Sequence, residues 1–278
     1  MSRPAHFFPE IEWYGSPDDE NVVVWNPAFG DSGTMTSRPY IPKLGLQGWT
    51  VMVPNHNQAG FNMADTVQNI YDELLRVKRQ NVLLVGASFG MQCVAELIRI
   101  SCRRAFDLSD KFSVVSVCGV SSGKDTNRPI WPVKYLPGPI LPAAGAFFKY
   151  MQARDIERGT KSPFDRDDRD VAESIAPHEK FRKEHFSGLA LIQQLKAMAT
   201  TPPIEEAEFE GIPALVITTA GDDALLKPQA AKNLLAAFHP SYSWKVDLSI
   251  HCDLTELPSQ YGPPLWDFAR TIIETPCP

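Results

Sequence analysis

One pentapeptide has residue types and spacing suited to chemistry: Gly86-Ala87-Ser88-Phe89-Gly90. About one chain in ten of this length would hold a Gly-x-Ser-x-Gly pattern by chance, so its surroundings decide its meaning. Here the pattern follows the apolar run Val82–Val85 directly and opens a helical pattern that begins near Met91. Strand, sharp turn and helix form the context in which a serine is held exposed as a nucleophile, with small residues where neighbouring backbone must pass closely. The helix N-terminus behind Ser88 favours developing negative charge. A serine hydroxyl needs a base, and the chain holds six histidines: His6, His56, His178, His185, His239 and His251. His251 follows the alternating run Val246–Ile250, the last expected strand. A serine-first order of Ser, acid and His places the base there. The acid is then expected after Leu215–Ile217, where Asp222 and Asp223 stand side by side and only one can hold the imidazole.

These residues need a scaffold, and the apolar pattern supplies one. Val22–Trp25, Val51–Val53, Val82–Val85, Val114–Val117 and Leu215–Ile217 are short, continuous and β-branched, as strands are when helices cover both faces of a parallel sheet. Between them lie helical spacings. These are Val67, Ile70, Tyr71 and Leu74, preceded by Asn62 and Asp65 at cap spacing; Met91, Val94, Ala95 and Ile98; Ala231, Leu234, Leu235 and Phe238 after Pro228; and Leu265, Phe268, Ala269 and Ile272. Strand and helix in alternation imply a doubly wound α/β sheet. The alternation stops between 123 and 203, a stretch with nine of the 24 prolines and no strand pattern. Helices are expected there near 143–153, with Ala144, Phe147, Phe148 and Met151 on one face, and near 181–199. Eighty residues without structure would be implausible in a compact domain, so an inserted helical subdomain is expected. The run Asp165–Asp170 reads as solvated surface.

Composition narrows the classes further. The chain has 278 residues, a formal charge of −6, 44% hydrophobic and 22% charged residues, the profile of an ordinary globular protein. An acidic pI near 5.6 argues against a nucleic-acid partner. No apolar run reaches the length of a membrane span. The first 30 residues hold Glu10, Glu12, Asp18, Asp19 and Glu20 and no signal-like apolar stretch. Cys93, Cys102, Cys118, Cys252 and Cys277 are odd in number and lack zinc spacing, as expected of a reducing cytoplasm with neither disulfide framework nor metal. No Walker loop or dinucleotide fingerprint occurs, so no cofactor is implied. A homodimer is left open.

The chain resembles the α/β-hydrolase superfamily, in its serine-nucleophile branch with a helical cap, over nearly its whole length. The resemblance rests on GASFG at 86–90, GDDALLKP at 221–228 and HCDLTELP at 251–258. It implies a mostly parallel, eight-stranded sheet with a core of residues 1–122 and 204–278 and a cap of residues 123–203. Aligning Asp-Ala-Leu-Leu with the family's Asp-Pro-Leu-Val favours Asp223 as the acid. The family usually carries His-Gly after its first buried strand, with the next N–H in the oxyanion hole. This chain has Asn26-Pro27-Ala28-Phe29-Gly30 instead, and the match places Ala28 at that position and Phe89 as the second donor. Backbone donors do not need the His-Gly side chains.

The implied mechanism has Ser88 attack a carbonyl, His251 take its proton and Asp223 fix the tautomer, with water resolving the acyl-enzyme. The expected substrate is a mainly hydrophobic small ester, thioester or lactone under a lid. Phe29, Trp131, Tyr135, Phe147, Phe148 and Met151 are the expected lining residues. Two other outcomes fit the same residues: C–C hydrolysis, lyase or cyclase chemistry by the same triad, and ligand binding without catalysis.

Overall fold

A computed structural model of the chain describes residues 9–16, 18–77, 79–104, 108–127, 130–147, 150, 187–219, 225–246, 254 and 257–274. Asp222, Asp223, His251, Phe148 and Met151 lie outside them, as does the middle of the stretch 123–203, from 151 to 186.

The continuous apolar runs form strands that are buried almost throughout: β2 (Asn21–Asn26), β3 (Trp49–Pro54), β4 (Asn81–Ala87), β5 (Phe112–Val117) and β6 (Ala214–Thr219). They pair in parallel. Two edge strands complete the sheet: β1 (Ile11–Tyr14), antiparallel to β3, and β7 (Tyr242–Val246), parallel to β6. Among the described residues the sheet thus has seven strands, ordered β1-β3-β2-β4-β5-β6-β7, beside the eight expected. Beyond Val246, the strand expected over Val246–Ile250 lies outside the described residues; the last described strand runs from Tyr242 to Val246. Its first four residues are exposed, so this edge strand lacks the apolar run that marks its buried neighbours.

The side-chain alternation divides the core in two. Val22, Val24, Met52, Leu84 and Val114 face one side, under α3 (Met63–Val77) and α4 (Gly90–Arg103). Val23, Val51, Val85 and Val115 face the other, under α2 (Ile41–Leu46) and the Pro258–Glu274 helix, which contributes Tyr261, Leu265, Phe268 and Ala269. α1 (Gly33–Ser37) is a short turn capped by Ser32. The Pro228–Phe238 helix buries Ala230, Leu234, Ala237 and Phe238, a face rotated from the expected one, since Leu235 is exposed.

In the insert, a helical segment spans 141–147. A second helix runs Gly188–Thr200, starting later than expected because the Ser187 side chain accepts the Ala190 N–H and caps it there. Its buried residues Ile192, Leu195 and Met198 join the core on the α3–α4 side. Among the described residues no helix is long and apolar enough to cross a membrane.

Candidate active site

Ser88 lies one residue beyond β4 with φ +47°, a left-handed conformation that costs a non-glycine residue roughly 1–3 kcal/mol. The surrounding backbone enforces it. Ser88 N–H donates to Val117 O (2.9 Å), and Ser88 O accepts from Met91 N–H (3.1 Å) and Val120 N–H (3.3 Å). The flanking glycines have distinct tasks. A Cβ on Gly86 would lie 2.7 Å from Met91 Cα, where α4 folds back on the strand. A Cβ on Gly90 would lie 2.2 Å from Asn26 O and 2.7 Å from Pro27 O, so the loop after β2 is seated directly on the start of α4.

That loop brings Ala28 to the elbow, the strand–turn–helix junction at Ser88–Gly90. Ala28 O accepts Asp31 N–H (3.1 Å), closing a turn whose third residue is Gly30 at φ +69°, a position suited to glycine. Ala28 and Phe89 are buried, and among the described residues neither N–H has a hydrogen-bond acceptor. Buried backbone donors are nearly always paired, so two free ones beside a strained serine are notable.

The turn is held from far away in sequence. Gln194, fully buried on the Gly188–Thr200 helix, accepts the Gly30 N–H at its Oε1 (2.9 Å). Its Nε2 donates to His56 O (2.7 Å) in the loop after β3. The same loop is tied to this helix by Gly60 N–H to Gln193 Oε1 (3.0 Å) and by Ser187 N–H to Asn57 Oδ1 (3.0 Å). One insert helix therefore clamps the loops after β2 and β3.

Below the elbow is an aromatic cluster. Phe89 packs edge-on against Phe29, Phe61 and His56, with ring centroids 6.2, 6.0 and 6.5 Å apart. His56, which the sequence places only in a loop, is fully buried, and among the described residues neither ring nitrogen has a hydrogen-bond partner. Burial pushes its pKa down to about 3, so it is neutral at ordinary pH. Asn26, Gln92 and Ser116 are also buried with side-chain polar atoms unpaired. Asn26 and Ser116 lie in one row across the sheet on either side of Gly86.

The chain leaves β6 at Thr219, three residues before Asp222, and β7 at Val246, five before His251. Thr219 pairs with Val246, and both ends lie on the C-terminal edge of the parallel sheet from which Ser88 projects. Beyond the aspartates, the chain at Leu225–Lys227 is pinned to the start of the insert. Asn127 N–H donates to Leu225 O (2.8 Å) and Lys227 N–H to Asp125 O (2.7 Å). The Asp125 carboxylate accepts Ser121 N–H, Ser121 Oγ–H and Ser122 N–H at one oxygen and Asn233 Nδ2–H at the other. With four donors on it, Asp125 braces this junction and is not available to orient a base. The other described histidine outside the elbow region, His239, is exposed and bonds Glu206 at 2.7 Å.

The remaining expected lining residues are split. Phe29 is half-buried against the core beside Phe89. Trp131, Tyr135 and Phe147 present 61%, 66% and 59% of their surface to solvent. The sequence gives no sign that Gln194 ties the loops after β2 and β3 together. Gln194 carried no local signal, because its partners lie 164 and 138 residues away.

No protein-family profile matches the chain, and no curated protein matches it in sequence. Many solved structures do match its fold. MenH from S. aureus has a TM-score of 0.68 at 14% identity, covering 94% of this chain and 98% of its own. A bromoperoxidase from Bacillus anthracis has a TM-score of 0.66 at 18% identity, covering 93% and 94%. A thermophilic esterase from Thermogutta terrifontis has a TM-score of 0.66 at 14% identity, covering 95% and 93%. The chain has the α/β-hydrolase fold.

Proposed function

We propose that the protein is a serine hydrolase that cleaves an ester, thioester or lactone of a mainly hydrophobic small molecule through an acyl-enzyme. The observation that carries this reading is Ser88, held left-handed after β4 with the free N–H groups of Phe89 and Ala28 beside it. In this reading Ser88 Oγ attacks the carbonyl carbon as His251 takes its proton, and Asp223 holds the imidazole. The two N–H groups receive the oxyanion, each such donor being worth about 2.7–4 kcal/mol. His251 then protonates the leaving group, and water, activated by His251, releases the acid and restores Ser88.

The chain exits support the assignment of the two partners. Adjacent strands stand about 4.8 Å apart, and an extended chain covers about 3.3 Å per residue. Segments of three to five residues leaving β6 and β7 are long enough to return to the Ser88 turn. Esterases among the fold neighbours fit the same chemistry. The boundaries 123–203 for a cap and the lining by Phe148 and Met151 belong to this proposal as well, with a cytoplasmic location.

A fluorophosphonate probe tests the reading. The wild type is expected to be labelled stoichiometrically at Ser88, and Ser88→Ala to lose labelling and at least about 10⁴-fold in turnover of short p-nitrophenyl esters. An unlabelled wild type, or equal turnover by the variant, overturns it. Asp223→Asn should cost more than Asp222→Asn; the reverse order moves the acid to Asp222.

A further inference from the structure

The first half of the insert is apolar on two sides. Ile130, Val133, Leu136, Leu141 and Ala144 pack inward against the core under α3 and α4. Trp131, Tyr135, Ile140, Phe147 and Tyr150 face outward, each about half exposed or more. The Trp131–Tyr135 turn and the 141–147 segment rest on the same helix, Gly188–Thr200: the turn packs along it, and Gly145 meets Gly188 backbone to backbone. Trp131 and Tyr135 pack edge to face at 6.3 Å, and Lys134 Nζ stands 4.6 Å from the Tyr135 ring centroid. Single exposed apolar side chains are ordinary, but five large ones within twenty residues imply something that covers them.

Charge indicates what that is. The chain carries 33 acidic residues and a formal charge of −6, yet no Asp or Glu occurs from Thr126 to Arg154, where Arg128, Lys134, Lys149 and Arg154 do. A second copy would bring the same acid-free, basic stretch of sequence against this one. Anionic lipid headgroups meet both demands. Trp and Tyr rings settle at headgroup depth, with the apolar side chains beneath, while lysine and arginine meet the charge. We propose that this outward face, centred on Trp131, Lys134, Tyr135, Ile140, Phe147 and Tyr150, docks the protein on an anionic membrane surface. The docking is peripheral. The proposal stands on the surface alone, whether or not Ser88 is a nucleophile.

Co-sedimentation of the full chain with phosphatidylcholine vesicles, with and without phosphatidylglycerol, tests it. Expected are at least about tenfold stronger partitioning onto the anionic vesicles and its loss in high salt. The double variant Trp131→Ser/Phe147→Ser should weaken partitioning about tenfold and Lys134→Glu several-fold, with unchanged thermal melting. Ser88→Ala should partition like the wild type. No binding to anionic vesicles, undiminished binding by the double variant, or loss of binding in Ser88→Ala overturns the proposal. So does wild-type dimerisation in lipid-free buffer that the double variant abolishes, because a second copy would then cover the face.

Discussion

The elbow and the insert meet at one edge of the sheet but differ in how closely their residues are constrained. Around Ser88, backbone sets the geometry: a left-handed serine, two glycines with no room for a Cβ, and hydrogen bonds to both sides of the strained residue. In the described part of the insert, one backbone contact, Gly145 on Gly188, joins two segments, and side chains set how they meet the core and the solvent. Two polar residues, Asp125 and Gln194, are buried there, and large aromatics turn outward. The elbow should therefore be intolerant of small changes, while the insert's outer face should tolerate large ones without loss of fold.

Glycine substitutions separate the two most sharply. Gly90→Ala pushes a Cβ into the Asn26 and Pro27 carbonyl oxygens, which are fixed by β2 and cannot retreat without opening the elbow. A loss of about 4 kcal/mol in chemical denaturation is expected, with failure of probe labelling. Gly138→Ala, in the insert, meets no atom within 4 Å and should change stability by less than about 0.5 kcal/mol. Equal effects would erase the contrast.

Gln194 is the exception that joins the two regions. Gln194→Met removes a side chain with both amide ends engaged and leaves the buried Gly30 N–H and His56 O without partners. A loss of about 3 kcal/mol is expected, together with roughly tenfold slower labelling per folded molecule. Gln194→Glu gives a finer readout. Its carboxylate accepts from Gly30 but cannot donate to His56 O, whereas the protonated acid does both. The labelling rate of this variant relative to wild type should rise as pH falls from 8 to 5. A flat ratio would show that the clamp does not set the turn bearing Ala28.

His56 lies on the elbow side of this clamp and gives a pH signature. Its folded pKa of about 3 lies below the unfolded value of 6.5, so the stability it contributes is complete above pH 6.5 and is lost as pH falls toward 3. Within that window the loss is up to about 1.4 kcal/mol per pH unit. His56→Phe, in a site already lined by Phe61 and Phe89, should flatten the acid limb, so the gap between the two proteins is about 2 kcal/mol at pH 5. Parallel pH profiles would mean that the ring is not buried neutral.

Much of the elbow was legible because its signals are local. The β-branched runs sit between two helical layers, and GASFG follows one of them without a gap. The insert was legible only as an interruption. Gln194 acts across the fold, and its amide resembles that of any glutamine on a helix. Trp131, Tyr135 and Phe147 read as lid lining because aromatic content does not tell which way a side chain turns. The edge strand Tyr242–Val246 escaped for a related reason, as an exposed strand has no apolar signature.

The smallest effects should come from the insert's own two faces. In the Trp131–Tyr135 turn, Trp131 and Tyr135 point to solvent while Val133 packs on the core. Trp131→Ser with Tyr135→Ser removes far more apolar surface than Val133→Ala, and by volume alone should cost more. Burial reverses that order. Side chains already in water have little transfer free energy to lose, so the double variant should stay within about 0.5 kcal/mol of wild type. Val133→Ala should lose about 1 kcal/mol, the scale of a partly buried methyl pair. Should the aromatic pair prove the costlier change in thermal melting, those rings would be structural, and the outward face would have no surface to offer a membrane.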